Sequence, residues 1–500
     1  MDIGSGTDAE RPQATAAGKL REHLAPLADL RGLLDLLSFD QETVMPKAGA
    51  SARGHQEATV RALLHEGLIA DELTELLDAL DASGINGDDG ALSRVVRRDA
   101  DKAKRVPTDL VKRIALTANE AQEAWVAARE NDDFAAFLPF LERNIELRRE
   151  YAACFDVAEP YDALLDDFEP GMKTEEVRTI FAPLREQLPD LVAAATERSP
   201  GPVTGTYPIP QQRAALDLVL RRVGFDESSW LLSDSVHPFS ATPGRGDNRI
   251  TTRFAEDSLE CMLSGLHEFG HGLYEAQIDP VLERTQLGRG VSMAVHESQS
   301  RLWEIFVGGS PAFWRGFWPE FTEALGGAPA GLDPEGFAAA LMSVQPSLIR
   351  VDADPVSYPL HIVLRFDLEL ALINGELAAK DLPTAWNDGM KDLLGVDVPD
   401  DRRGVLQDIH WAFGGFGYFP TYALGTLLAA QLWDVARADL PDLDARIEAG
   451  DLAPLREWLA EKVHRHGRRM EPGELIRAAS GRELGSDAYL AFARRQAGVE

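Results

Sequence analysis

Five hundred residues, 45% of them hydrophobic, can bury a large core, either as two to three domains or as one large elaborated unit. With 50 Lys+Arg against 82 Asp+Glu the net charge is −32, which argues against nucleic acid and anionic membrane as partners. Cys154 and Cys261 make no disulfide framework; read as small buried apolar residues, they fit a reducing cytoplasm.

The opening MDIGSGTDAERPQATAAG has neither a basic start nor an apolar run, so residues 1–18 are expected to be a disordered leader to a single unit over 19–500. No stretch approaches the 18 or so apolar residues of a membrane span. Runs rich in Ala, Leu, Glu and Arg predict a mainly α protein. From Leu20 to Ala195 the text is a succession of amphipathic helices, such as Leu110 to Arg129 and Phe134 to Phe155, with a polar break at Asp81 to Gly90. We read 19–225 as a helical first lobe that walls a groove, and 226–500 as the lobe that carries the chemistry.

Ser199 to Pro210 is too dense in Pro and Gly for a helix and marks a boundary or long loop. The segment His237 to Phe254 ends in ITTRF, the best strand candidate of the chain. A helix is expected next, over Glu256 to Ala276, with Leu259, Met262, Leu263, Leu266 and Leu273 at helical spacing. Gly265, Gly270 and Gly272 should each cost it up to about 1 kcal/mol, which suggests that another backbone packs close by. Gly326 to Gly336 and Val396 to Arg403 read as loops between later helices.

That helix carries HEFGH. His267 and His271, four apart, direct their rings to one spot, and Glu268 lies about 100° round the helix. A chance match to H-E-x-x-H is expected roughly 0.02 times in a chain of this composition, and the pattern is that of zinc hydrolases. A catalytic zinc needs a third protein ligand. Glu297, 26 residues beyond His271, suits a second helix capped by Ser292, with His296 as the rival ligand. A metal of this kind lowers the pKa of water, and Glu268, which is not a ligand, would take the proton and pass it to the leaving nitrogen. Donors for the developing oxyanion are expected in Gln407 to Tyr422, where His410, Tyr418 and Tyr422 are candidates. His23, His55, His65, His464 and His466 read as structural or surface residues, and His361 as packing near Ile349 to Asp354.

Five signatures stand in order along the chain: HPF at His237, D-x-R-x-T at Asp247, HEFGH with HESQS after it, IRVDAD at Ile349, and G-x-x-Q-D-x-H-W at Gly404. Together with FDQETVMP near Asp40 and YDALLDDFEPGM near Tyr161, they resemble the thermostable carboxypeptidase Taq family of metallocarboxypeptidases. Phe39 departs from the tryptophan that the family often has there. The resemblance implies a two-lobed helical peptidase with a deep groove, a small β-sheet beside the metal and a homodimeric assembly. It implies removal of residues one at a time from peptides with a free C-terminus. By motif position His267, His271 and Glu297 are implied as zinc ligands, a site that cobalt could also fill, and Glu268 as the base.

Arg350 is implied as the grip on the terminal carboxylate, a role that suits a guanidinium in any case. His237, His410, Tyr418 and Arg249 are implied as further substrate or transition-state contacts. Tyr422 competes with Tyr418 as the phenol donor, and Arg249 has the alternative of bracing the strand through Asp247. An oligopeptidase or endopeptidase of the same zinc chemistry, or a non-catalytic peptide-binding protein, are the rival readings.

Overall fold

The computed structural model describes residues 15–82 and 84–499. Residues 1–14 of the expected leader lie outside them. Residues 15–18 do not behave as leader: Thr15 accepts the Gly18 amide through its side-chain oxygen (3.1 Å), and the helix Ala16–Thr43 begins there, with Ala17 in the core.

Helix makes up 68% of the molecule. Helices Thr108–Asn131 and Phe134–Ala152 form a hairpin whose turn is written locally. Asp132 ends the first in the left-handed region (φ 56°), and Asp133 caps the second by accepting the Ala136 amide at 3.0 Å. The second helix stops three residues before the expected Phe155, and the break at Asp81 to Gly90 is shorter than expected, since a helix resumes at Gly87. Ser199 to Pro208 is loop, as its Pro and Gly content requires.

Three short strands are found among the described residues: β1 (Trp230–Asp234), β2 (Ser240–Gly244) and β3 (Asp247–Thr252). Their order is β1-β3-β2, with β1 parallel and β2 antiparallel to the central β3. β3 covers the start of the expected strand, and the other two were not anticipated. The helix Glu260–Ala276, which carries the H-E-x-x-H motif, starts four residues later than expected; Ser258 accepts the Glu260 amide at 3.1 Å at its entry.

The sheet is fixed to this motif helix at two points. Thr252 and Ser264 hydroxyls lie 2.6 Å apart, and the Trp230 ring stacks on Phe269 with centroids 5.1 Å apart. Glycine makes room for both neighbours of the motif helix. A Cβ on Gly270 would fall 2.5 Å from the Gln299 carbonyl oxygen, so here another backbone does pack close. At Gly265 and Gly272 the neighbours are side chains, Leu216 and Trp230.

The apolar core of the described residues has two main parts. The larger runs from Ala121 to Ala497 and includes the motif helix; residues on both sides of 225, such as Val223 and Trp230, share it. The other gathers Leu20, Leu24, Leu77, Leu92 and Val96 from the N-terminal helices around Ile278, Leu282 and Leu287, which directly follow the motif helix. A small cluster of Val106, Leu110 and Leu147 lies apart from both. No helix among the described residues is long and apolar enough to cross a membrane.

Candidate metal centre

The motif helix turns His267 and His271 to one side, ring centroids 4.8 Å apart. Facing them is a second helix, Met293–Arg301, capped by Ser292, whose hydroxyl accepts the Val295 amide at 3.2 Å. It brings Glu297 Oε2 to 3.4 Å from His271 Nε2 and 3.6 Å from His267 Nε2. Three such donors lie within 4.8 Å of one another. Nitrogen and oxygen ligands about 2.0–2.2 Å from a tetrahedral ion stand about 3.4 Å apart, so the cluster has the spacing and chemistry of a divalent-metal site.

The neighbouring charges hold this geometry. Arg301 donates to Glu297 Oε1 at 2.8 Å and reaches Glu304 at 3.1 Å, while Glu297 Oε2, which faces the histidines, also lies 3.1 Å from the Ser300 hydroxyl. Glu304 in turn sits 2.7 Å from His267 Nδ1. Burial disfavours the charged form of His267, but Glu297 and Glu304 outweigh it and raise the ring to about 9. Burial lowers His271 to about 4 despite its bond to Glu297. Glu297 is buried too, yet Arg301 and the two rings hold its carboxyl well below the usual carboxylate range. His296 is turned away from the cluster: its Nδ1 faces His271 Nδ1 at 2.6 Å, so it stands behind a candidate ligand and is not a rival to Glu297.

Glu268 is buried, and its Oε2 has no hydrogen-bond partner among the described residues. Burial raises its carboxyl to about 7; Glu297 and Glu304 add to the effect and His267 opposes it. A carboxylate without competing donors is free to take a proton.

A second group assembles from distant sequence. Arg350 is buried, with Nε and Nη2 both on Asp408 Oδ1 (3.0 and 2.8 Å) and Nη1 3.2 Å from the Tyr358 hydroxyl. Asp408 Oδ2 accepts from Arg365 at 2.7 Å. One proton on each Nη of Arg350 remains beyond these bonds. Its guanidinium lies 5.0 Å from the Tyr422 ring centre. His410 Nε2 lies 3.2 Å from the Tyr422 hydroxyl, and the Tyr418 ring stands 5.2 Å from Tyr422 and 5.4 Å from His410. Burial lowers His410 to about 3, although Asp408 opposes it, so the ring is neutral near pH 7 and donates from one nitrogen. Burial and the Glu297 charge raise Tyr418 to about 12, which ties that phenol electrostatically to the candidate metal ligand.

Two candidates lie elsewhere. Arg249 is forked onto Asp247 (2.7 and 2.8 Å) and covers Phe39 at 5.1 Å, which is the bracing alternative. Phe39 also meets Phe239 at 5.7 Å, so the FDQET, HPF and D-x-R-x-T signatures converge where the first helix meets the sheet. His237 is exposed between β1 and β2; among the described residues its side chain makes no hydrogen bond.

The model of the carboxypeptidase Taq (M32) metallopeptidase family matches residues 19–497. The chain belongs to this family. It is 39% identical to thermostable carboxypeptidase 1 of Thermus thermophilus over 97% of this chain and 98% of that one. It is 36% identical to carboxypeptidase 1 of Bacillus subtilis, over 90% and 91%. Among solved structures it is similar to the M32 carboxypeptidase of Deinococcus radiodurans, with TM-score 0.92, 36% identity, and 97% and 99% of the two chains covered. The Pyrococcus furiosus carboxypeptidase gives TM-score 0.93 at 34% identity, with 97% and 99% covered. This M32 protein is therefore a metal-dependent carboxypeptidase that acts on peptides and uses a divalent ion.

Sequence reasoning missed several residues of the M32 site. Arg301 and Glu304 follow Glu297 by four and seven positions, a helical signal that was there to read. Glu169, within the quoted YDALLDDFEPGM, is buried and accepts the Ala294 amide at the start of the Glu297 helix; burial raises it to about 8. Asp408 stands within the G-x-x-Q-D-x-H-W signature, where no spacing marks it as a partner of Arg350. Cys261 is buried as expected, while Cys154 is half-buried. His464 is fully buried between Gln277 (2.6 Å) and Gln299 (2.8 Å), a structural role, and His361 is buried beside Arg365.

Proposed function

We propose that His267, His271 and Glu297 hold the divalent ion, with zinc as the working metal, and that Glu268 is the general base of a carboxypeptidase that trims one residue at a time. The observation that carries this reading is the placement of Glu297 Oε2 at 3.4 and 3.6 Å from the two Nε2 atoms. When bound, the ion supplies Lewis acidity, polarising the scissile carbonyl and bringing a water within reach of deprotonation near neutral pH.

Everything else falls to the protein's own groups. Glu268 takes the proton at its free Oε2 and delivers it to the leaving nitrogen. Arg350 presents its remaining Nη protons to the terminal carboxylate of the substrate, pre-aimed by Asp408 and Tyr358. His410, neutral, donates toward the developing oxyanion, with Tyr418 and Tyr422 as the alternative phenol donors. His237 serves as a further substrate contact in this reading, and Arg249 as a further contact or as the brace that its fork onto Asp247 describes.

Mass spectrometry of a peptide digest with and without chelator tests this. Sequential loss from the carboxyl end is expected, abolished by chelation and restored by zinc. Equal cleavage of a C-terminally amidated peptide would favour the endopeptidase reading. We also propose a homodimer in the cytoplasm, in line with the family resemblance and two unpaired cysteines; sedimentation velocity checks the assembly.

A further inference from the structure

His271 and His267 are backed differently. His267 Nδ1 meets a carboxylate directly, Glu304 at 2.7 Å. Behind His271 stands a second ring, His296, with the two Nδ1 atoms 2.6 Å apart, and behind that Glu275, whose Oε1 lies 3.2 Å from His296 Nε2. Oε1 of Glu275 also accepts the Gly290 amide at 2.9 Å, which marks it as an acceptor.

We propose that His296 and Glu275 are a positioning pair that locks His271 in the one tautomer a metal ligand can use. The inference rests on the reading of His271 as a ligand. A neutral imidazole carries one N–H, and two nitrogens at hydrogen-bond distance share one proton between them. Glu275 accepts, so the His296 proton sits on Nε2 and its Nδ1 is left with a lone pair. That lone pair requires a proton on Nδ1 of His271. The Nε2 lone pair of His271 then points toward Glu297 and the space between the ligands. Each assignment follows from the one behind it, and the chain ends on a carboxylate that cannot reverse it.

The surroundings keep the pair in place. The His296 ring lies between His271 (4.7 Å) and Tyr274 (5.3 Å). A Cβ on Gly290 would come to 2.9 Å from both the His296 and Tyr274 rings, so only glycine lets the loop close over the pair and present its amide to Glu275. The arrangement also explains a histidine directly before the acidic ligand: successive helix positions point about 100° apart, so Glu297 faces the ion while His296 reaches round behind His271.

Zinc affinity, measured by competition with a chromophoric chelator, and the absorption spectrum of the cobalt-substituted protein test the pair. His296→Leu removes the acceptor and is expected to weaken zinc binding by about 10- to 100-fold and to alter the cobalt spectrum. His296→Asn places an amide oxygen where Nδ1 stood and should recover most of the affinity. Parent-like affinity in the leucine variant overturns the proposal, as does an asparagine variant as weak as leucine. Should leucine prevent folding, Glu275→Leu, which removes the terminal acceptor, carries the test, with an expected loss of about 10-fold and an unchanged affinity as the contrary result. His271→Ala separates the two readings. If it binds zinc like the parent, the ligand assignment fails; if it loses the ion while His296→Leu does not, only the positioning pair fails.

Discussion

Asp408 holds two arginines at once, and burial makes that expensive to disturb. Burial alone would raise its carboxyl, but Arg350 and Arg365 hold it well below the usual carboxylate range. An unfolded aspartate titrates near about 3.9, so the folded chain binds fewer protons at this position as the solution is acidified. Its contribution is therefore full above about pH 4 and is lost as the pH falls below that. Asp408→Asn is expected to cost about 3–5 kcal/mol at neutral pH and to flatten the acid limb of the stability curve. Urea unfolding of both proteins between about pH 3 and about 7 reads this, and parallel acid limbs would remove the assignment. For Arg350→Ala, KM for a free-acid peptide should rise by about 10-fold or more, with little change toward an amidated one; equal effects on both would exclude a carboxylate grip. Glu268→Gln should keep the metal, as checked by elemental analysis, and lose about 100- to 10,000-fold in kcat. Full turnover in that variant would dismiss the base.

The two helices that bear the candidate ligands are held at close range by missing side chains. Gly270 faces the Gln299 backbone, and a Cβ on Gly425, in the helix Pro420–Asp439, would fall 2.5 Å from Glu297 Cβ. Gly270→Ala should cost about 1–3 kcal/mol of stability and loosen metal binding, since the helices must part to admit the methyl group. A thermal melt together with a zinc titration measures both, and a fully stable variant with parent affinity would contradict it. The motif helix and the grouping of His267, His271 and Glu297 were legible in the sequence because their signal is local: histidines four apart beside an apolar stripe, and a serine cap ahead of Glu297. β1 and β2 were not, because WLLSD and SATPG are short, and the second contains both Pro and Gly. Arg301 and Glu304 stand at helical spacing from Glu297 even though the helix turns from α to π after Arg301. Asp408 joins Arg350 and Arg365 across 58 and 43 positions of sequence, which no periodicity encodes.

Over the whole molecule, the N-terminal helices pack around their own apolar cluster, which takes in Ile278, Leu282 and Leu287, and the first helix also meets the sheet through Phe39 and Phe239. Ion pairs lace the same seam: Arg284 with Asp29, Arg289 with Asp35, Arg468 with Asp99 and Arg469 with Asp88. Arg284–Asp29 is exposed, so that pair contributes about 0–1 kcal/mol, while the other three are partly buried and brace the seam beside the apolar contacts. A cluster separate from the main core implies a lower opening free energy, and the amides of the helices between residues 16 and 105 should exchange in a sub-global step ahead of the motif helix. Hydrogen exchange in low denaturant tests this; one common opening event would refute it. The unit defined by this packing is not a contiguous stretch of chain. A chimera that takes residues 15–105 from a relative must import Ile278, Leu282 and Leu287 as well, or the grafted helices will arrive without the surface they were shaped to cover.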